Sequence, residues 1–167
     1  MSKTELKIHT WPDRILKKKC KKVERIDASI YDYLGQMYSL MKESQGVGLA
    51  ANQAGLDIAL VVVEIGDTSL KLVNPRIVKK QGKITFEEGC LSFPGLSLQV
   101  KRSKKIWISS LDENGDPLDI EAKEILAVIL QHEIDHINGI VFTDRLPLWQ
   151  RLRILPKLRG MGFSSRS

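Results

Sequence analysis

A chain of 167 residues with 43% apolar side chains can bury one substantial core, which points to a single domain over 1–167. Two cysteines, Cys20 and Cys90, exclude a disulfide framework, and no apolar run is long enough to serve as a secretory leader or bilayer span; the expectation is a cytoplasmic protein that keeps its thiols reduced. The net charge of +6 arises at one end: Arg145, Arg151, Arg153, Lys157, Arg159 and Arg166 follow Asp144 with no acidic residue among them, forming a basic tail from about residue 147.

In chain order, Cys20 comes first, within Lys17-Lys18-Lys19-Cys20-Lys21-Lys22, and reads as an ordinary free thiol on a charged surface. Ile30, Leu34, Met37 and Met41 recur at helical spacing and predict a helix over 27–44 with Asp27 as its N-cap. Gly46, Gly48 and Ala51 then fit G-x-G-x-x-A, a dinucleotide-binding pattern. That pattern should follow a strand, and here it follows a helix, so segment 46–53 reads as a loop whose glycines admit a substrate backbone. The β-branched run 58–65 predicts a strand, with shorter extended pieces at 70–73, 76–78 and 83–86. Ile106 and Ile108 before Asn114-Gly115, with Leu118 and Ile120 after it, predict a hairpin. A second helix carries Ile125, Val128 and Ile129 on one face and stops near Gly139, and Pro156 should break any helix in the tail. Mixed, mainly antiparallel strands around one central motif-bearing helix define an α+β fold.

The second helix contains His132-Glu133-Ile134-Asp135-His136. At 3.6 residues per turn the two imidazoles lie one above the other, where they can hold one divalent ion, and Glu133 is placed to move a proton on a nearby water. A catalytic site of this kind needs a third ligand. Phe142 stands where one metallopeptidase pattern has its last His, and no Glu follows Glu133. Two candidates remain. Asp144 would give a metallopeptidase. Cys90, in Glu87-Glu88-Gly89-Cys90-Leu91-Ser92, would give a thiolate–imidazole set suited to Fe(II), Zn, Co or Ni, with Gly89 allowing close backbone approach. Asp135 either orients a ligand or pairs with a surface base.

Three segments together resemble the peptide deformylases: Gly46-Val47-Gly48-Leu49-Ala50-Ala51-Asn52-Gln53, Glu88-Gly89-Cys90-Leu91-Ser92 and Gln131-His132-Glu133-Ile134-Asp135-His136, in the family's order, preceded by a similar opening at Trp11-Pro12-Asp13-Arg14-Ile15-Leu16. The resemblance implies a metal-dependent hydrolase that removes the formyl group from N-formylmethionine on nascent polypeptides. It implies Cys90, His132 and His136 as metal ligands, Fe(II) as the usual ion with Zn, Ni or Co able to replace it, and Glu133 as general base and acid. Gln53 and the Leu91 backbone N–H would stabilise the oxyanion. Val47, Gly48, Gly89, Val128 and Ile129 would meet the substrate. Some relatives dock on the ribosome through a C-terminal helix; here the basic tail suits ribosomal RNA, but Pro156 argues against a helix. This chain also departs from relatives that carry a substrate-contacting Arg seven positions after the motif Cys, having Ser97 there and Arg102 five further on.

Overall fold

A computed structural model describes residues 5–164, so Arg166 of the basic tail lies outside them. The elements run α1 (Ala28–Glu43), β1 (Gly48–Ala50), β2 (Leu60–Ile65), β3 (Thr68–Gln81), β4 (Ile84–Glu88), β5 (Leu98–Arg102), β6 (Lys105–Leu111), β7 (Pro117–Lys123), α2 (Glu124–Ile137) and α3 (Leu148–Ser164), with 3₁₀ turns at Arg14–Lys17, Ala51–Ala54 and Phe142–Arg145. Five strands form an antiparallel sheet in the order β1-β2-β3-β6-β7, and β4 with β5 forms a separate antiparallel ribbon. This is the expected α+β architecture, with α2 at its centre.

The run 58–63 is continuously apolar, up to the partly exposed Glu64, because β2 is covered on both faces there. Successive side chains point to opposite sides of a strand. Leu60 and Val62 accordingly join Ile30, Leu34, Met37 and Met41 of α1 in one cluster, while Val61 and Val63 join Ala127, Leu130, Ile134 and Ile137 of α2 in another. The helix α1 begins as expected: the Asp27 carboxylate accepts hydrogen bonds from the backbone N–H groups of Ser29 and Ile30. At roughly 1.5–3 kcal/mol per fully buried large side chain, burial of its apolar stripe far outweighs the N-cap, worth about 1 kcal/mol.

Several local expectations are corrected. Segment 46–53 is not a loop: Gly48–Ala50 pairs with β2 as an edge strand, and Ala51–Ala54 follows as a 3₁₀ turn. The pieces 70–73 and 76–78 belong to one strand, β3, interrupted between Val73 and Arg76, where Asn74 adopts φ 53° and Pro75 has no N–H to donate. The Asn74 side chain spends its hydrogen bonds on the backbone of Val23, at 2.8 and 2.9 Å. The strand β5 had no apolar signature because its inward positions are Val100 and the buried Arg102. The β6–β7 hairpin is present, but it turns through residues 112–116, with Asp112 accepting from the N–H groups of Asn114 and Asp116, rather than through a two-residue Asn-Gly turn.

Cys20 is also corrected. It is buried in the α2 cluster, while Lys19 and Lys21 on either side of it point outward, as alternation along an extended segment requires. Pro156 does not stop α3. The bond it forfeits belongs to the Leu152 carbonyl, on an exposed residue where water can replace it. Ile154, Leu158 and Met161 meanwhile pack on the cluster built around Leu16, Phe93 and Phe142. No helix among the described residues is long and apolar enough to cross a membrane.

Leu34 is fully buried between α1 and the sheet. Leu34→Ala is expected to lower the free energy of unfolding by about 2–5 kcal/mol. Urea denaturation followed by circular dichroism measures this, and a loss below about 1 kcal/mol would contradict the packing described.

Candidate metal centre

Helix α2 is buried on all sides from Ala127 to Ile137. One face is spent on the sheet, which leaves His132, Glu133 and His136 to face the segment after β4 and the cluster around Phe93 and Phe142. Cys90 lies on that segment, half-buried. Its Sγ is 3.3 Å from His136 Nε2, which is 3.2 Å from His132 Nε2, and the three donor atoms all fall within 4.8 Å of one another. Among the described residues they form the one cluster able to hold a metal ion. His132 Nδ1 lies 2.8 Å from Glu88 Oε2, so its proton is given to that carboxylate and the Nε2 lone pair is turned toward the other two donors.

The electrostatics call for a positive charge at this point. Burial alone would lower the pKa of His132, yet Cys90, Glu88 and Glu133 outweigh it and raise that pKa well above the usual value. Burial depresses His136 well below its own, with His132 and Arg102 adding to the effect. A cation at the convergence of the thiolate and two imidazoles satisfies the same demand as a proton shared among them. His136 Nδ1 and Glu133 Oε2 are buried without a protein partner, so hydrogen-bonding capacity is left beside the cluster. These residues therefore fit a divalent ion.

Glu133 is the titratable carboxyl that adjoins the cluster. Burial pushes its carboxyl up to about 7 against the pull of His132, with Glu88 and Asp135 adding to the rise and Arg102 opposing it. Gly48 makes room for it: a Cβ at position 48 would stand 2.6 Å from Glu133 Oε1. Gln53, in the 3₁₀ turn, accepts from the Ala50 N–H through Oε1 at 2.9 Å. That bond aims Nε2 at the site, 3.4 Å from Cys90 Sγ and 3.1 Å from Ser92 Oγ. Leu91 follows Cys90 directly, and its side chain packs on the α1 cluster. Val47, Gly89, Val128 and Ile129 line a pocket of about 140 Å³ that His132 and Glu133 also line. Ile65, Phe86 and Ile125 complete its apolar wall.

Several supporting residues escaped the sequence reading. Glu88 is held not only by His132 but by Arg102, at 2.7 and 3.0 Å. Burial works against its charge, but these bonds keep its carboxyl below the usual range. Arg102 also donates to Asp135 at 2.5 Å, and Arg145 grips Asp135 from the other side. Asp135 therefore bonds neither histidine directly; its partners are two guanidinium groups. Asn52, given no role from sequence, donates to the His136 carbonyl at 2.5 Å and anchors the second histidine's backbone. Glu88 had a signal in its place beside Gly89-Cys90, whereas Arg102 and Arg145 are brought in by the fold from segments with no motif. Asp144 stands apart from the cluster, bonded to Lys17 at 2.5 Å and to the Val141 N–H at 3.0 Å, so the metallopeptidase reading loses its third ligand.

A Cys–His–His set with both histidines buried, an adjoining carboxylate, an oriented amide donor and an apolar pocket defines the class as a metal-dependent hydrolase. Comparison with known proteins narrows the class. The polypeptide deformylase family model matches residues 5–151. A peptide deformylase of Aquifex aeolicus is 41% identical over 157 residues, covering 90% of this chain and 93% of its own. One from Acetivibrio thermocellus is 45% identical over 134 residues, covering 80% and 79% respectively. The crystal structure of a peptide deformylase from Legionella pneumophila superposes with a TM-score of 0.87 at 39% identity, over 96% of this chain and 98% of that one. The chain belongs to the polypeptide deformylase family, metal-dependent hydrolases that remove formyl groups from nascent polypeptides.

The two cysteines should differ in reactivity. Burial, with Asp57 adding to it, pushes the Cys20 thiol up to about 11. Iodoacetamide at about pH 8 is expected to label Cys90 once metal has been removed by a chelator and to spare Cys20 until the protein is unfolded. Peptide mapping by mass spectrometry reads both sites. Labelling of Cys20 in the folded protein would contradict its placement.

Proposed function

We propose that this protein removes the formyl group from N-formylmethionine at the start of newly made polypeptides, with Cys90, His132 and His136 holding Fe(II) and with Zn, Ni or Co able to take its place. The observation that carries the reading is the buried Glu133 carboxylate, with one oxygen unpartnered, beside three convergent donor atoms. An ion held by Cys90, His132 and His136 would supply Lewis acidity toward water near neutral pH. Glu133 accepts the proton of the attacking water and returns it to the leaving amine, so the products are formate and a free amino terminus. Charge growing on the formyl oxygen is met by the Gln53 amide N–H and the Leu91 backbone N–H; the aim of Gln53 Nε2 at the site supports this role.

Val47, Val128 and Ile129 would receive the methionine side chain, while Gly89 lets backbone pass close by and Gly48 leaves Glu133 its space. β1 lies at the edge of its sheet and is suited to align an extended peptide beside the site. Two free cysteines, one of them a ligand that must remain a thiolate, suit the cytoplasm. The whole of 1–167 would act as one catalytic domain whose basic tail forms α3. Arg151, Arg153, Lys157 and Arg159 on that helix would attract ribosomal RNA and bring the enzyme to nascent chains.

Formate release from a formyl-methionyl peptide, with Fe(II) protein handled anaerobically, tests the assignment. Glu133→Ala is expected to retain metal and lose activity by about 10²–10⁴-fold. Gly48→Ala should also keep its metal yet slow the reaction by crowding Glu133. A wild-type protein that holds metal and releases no formate would overturn the reading. For the tail, co-sedimentation with ribosomes should be strong at low salt and fall steeply as salt rises; absence of binding at low salt would remove that part of the proposal.

A further inference from the structure

We propose that Asp135 and Arg145 are positioning residues for the metal centre. Through Arg102 and Glu88 they fix the orientation of His132, so the hold of the site on its ion is governed in part from the segment that follows α2. The inference rests on the reading of Cys90, His132 and His136 as ligands.

The contacts close a ring on one helix. His132 Nδ1 meets Glu88 Oε2 at 2.8 Å, and Arg102 grips both oxygens of Glu88, Nε at 2.7 Å and Nη2 at 3.0 Å. The third donor of that guanidinium, Nη1, reaches Asp135 Oδ2 at 2.5 Å. Asp135 stands three residues after His132 on α2. A guanidinium is a rigid plane, so the point at which Asp135 holds Nη1 decides how the other two nitrogens present themselves to Glu88. The carboxylate that orients His132 is thus located by an arginine anchored to His132's own helix. Glu88, Arg102 and Asp135 are all buried, which makes each lost partner costly.

Asp135 is itself held from outside. Arg145, in the 3₁₀ turn between α2 and α3, donates Nε to Asp135 Oδ2 at 2.8 Å and Nη2 to Oδ1. Charges alternate along the relay, from Glu88 through Arg102 and Asp135 to Arg145. Without Arg145 the Asp135 carboxylate keeps one guanidinium partner instead of two, so the angle at which it holds Arg102 is less constrained and Glu88 loses part of the alignment it passes to His132. Only the Arg145 end is accessible, with a side chain 37% exposed, facing a cleft of about 450 Å³ on the side of the relay away from the apolar pocket. Changing it leaves the core and the pocket untouched.

The test is Co(II) affinity of the metal-free full-length protein, measured by competition with a chelating indicator for wild type, Arg145→Gln, Arg145→Lys and Asp135→Asn. The urea midpoint of each metal-free variant is measured alongside. Partners that touch a metal ligand directly change affinity by about 10–100-fold, and a residue further out should fall at the low end, so Arg145→Gln is expected to weaken Co(II) binding about tenfold. Arg145→Lys should recover part of the loss, Asp135→Asn should lose at least as much as Arg145→Gln, and the visible bands of bound Co(II) should change in the weakened variants. Unchanged affinity in both Arg145→Gln and Asp135→Asn would overturn the proposal. So would a weakening that tracks metal-free stability without recovery by Lys, because the pair would then serve only to hold α2 in place. Absence of Co(II) binding by wild type would overturn the ligand assignment and this inference with it. Formate release does not enter the readout, so failure here and failure of the deformylase reading are separate results.

Discussion

The hydrogen bond from His132 to Glu88 is the contact on which the centre depends. A neutral imidazole has one proton, and giving it to a carboxylate commits the opposite nitrogen to accept. That nitrogen faces His136 Nε2 at 3.2 Å, and His136 in turn faces the Cys90 sulfur at 3.3 Å. Without a shared proton, three electron-pair donors converge on one point, which a cation can occupy. Without Glu88 beneath it, His132 could turn its proton inward and the set would close on itself.

The fold supplies this arrangement through one helix buried on both sides. α2 uses Ala127, Leu130, Ile134 and Ile137 to cover the sheet, and the burial of those residues fixes the helix in rotation. The histidines are then aimed at Cys90 without any flexible segment between scaffold and site. The ion pairs behind them matter because they are buried. Removing one partner from such a pair costs about 3–5 kcal/mol, whereas an exposed pair such as Lys104–Glu124 contributes about 0–1 kcal/mol. Glu88 belongs both to the buried ion pairs and to the contact that orients His132.

Much of this was legible in the chain. His132, Glu133 and His136 declare themselves because helical periodicity is local, and Cys90 becomes visible through its glycine and its segment. β2 could be read as a strand from its β-branched run, and α1 from four residues at helical spacing. What escaped has a common cause: polar residues placed inward by tertiary contacts. Arg102 occupies a core position of β5, so the strand lost its apolar alternation. Cys20 is masked by the lysines on either side of it, which point the other way. Asn74 and Pro75 read as a break although β3 continues past them as a bulge. Pro156 reads as a helix stop although its missing bond falls on the solvent side of α3. Arg145 carries no local signal, since its partner Asp135 is chosen by the path of the chain after α2.

The central claim is that one thiolate and two imidazoles from this chain hold the catalytic ion. X-ray absorption at the metal edge of the zinc-loaded protein tests it most directly. The account predicts one sulfur at about 2.3 Å and two nitrogens at about 2.0–2.1 Å, with the remaining scattering from light atoms. A first shell without sulfur, or one built of oxygen with a single nitrogen, would contradict it.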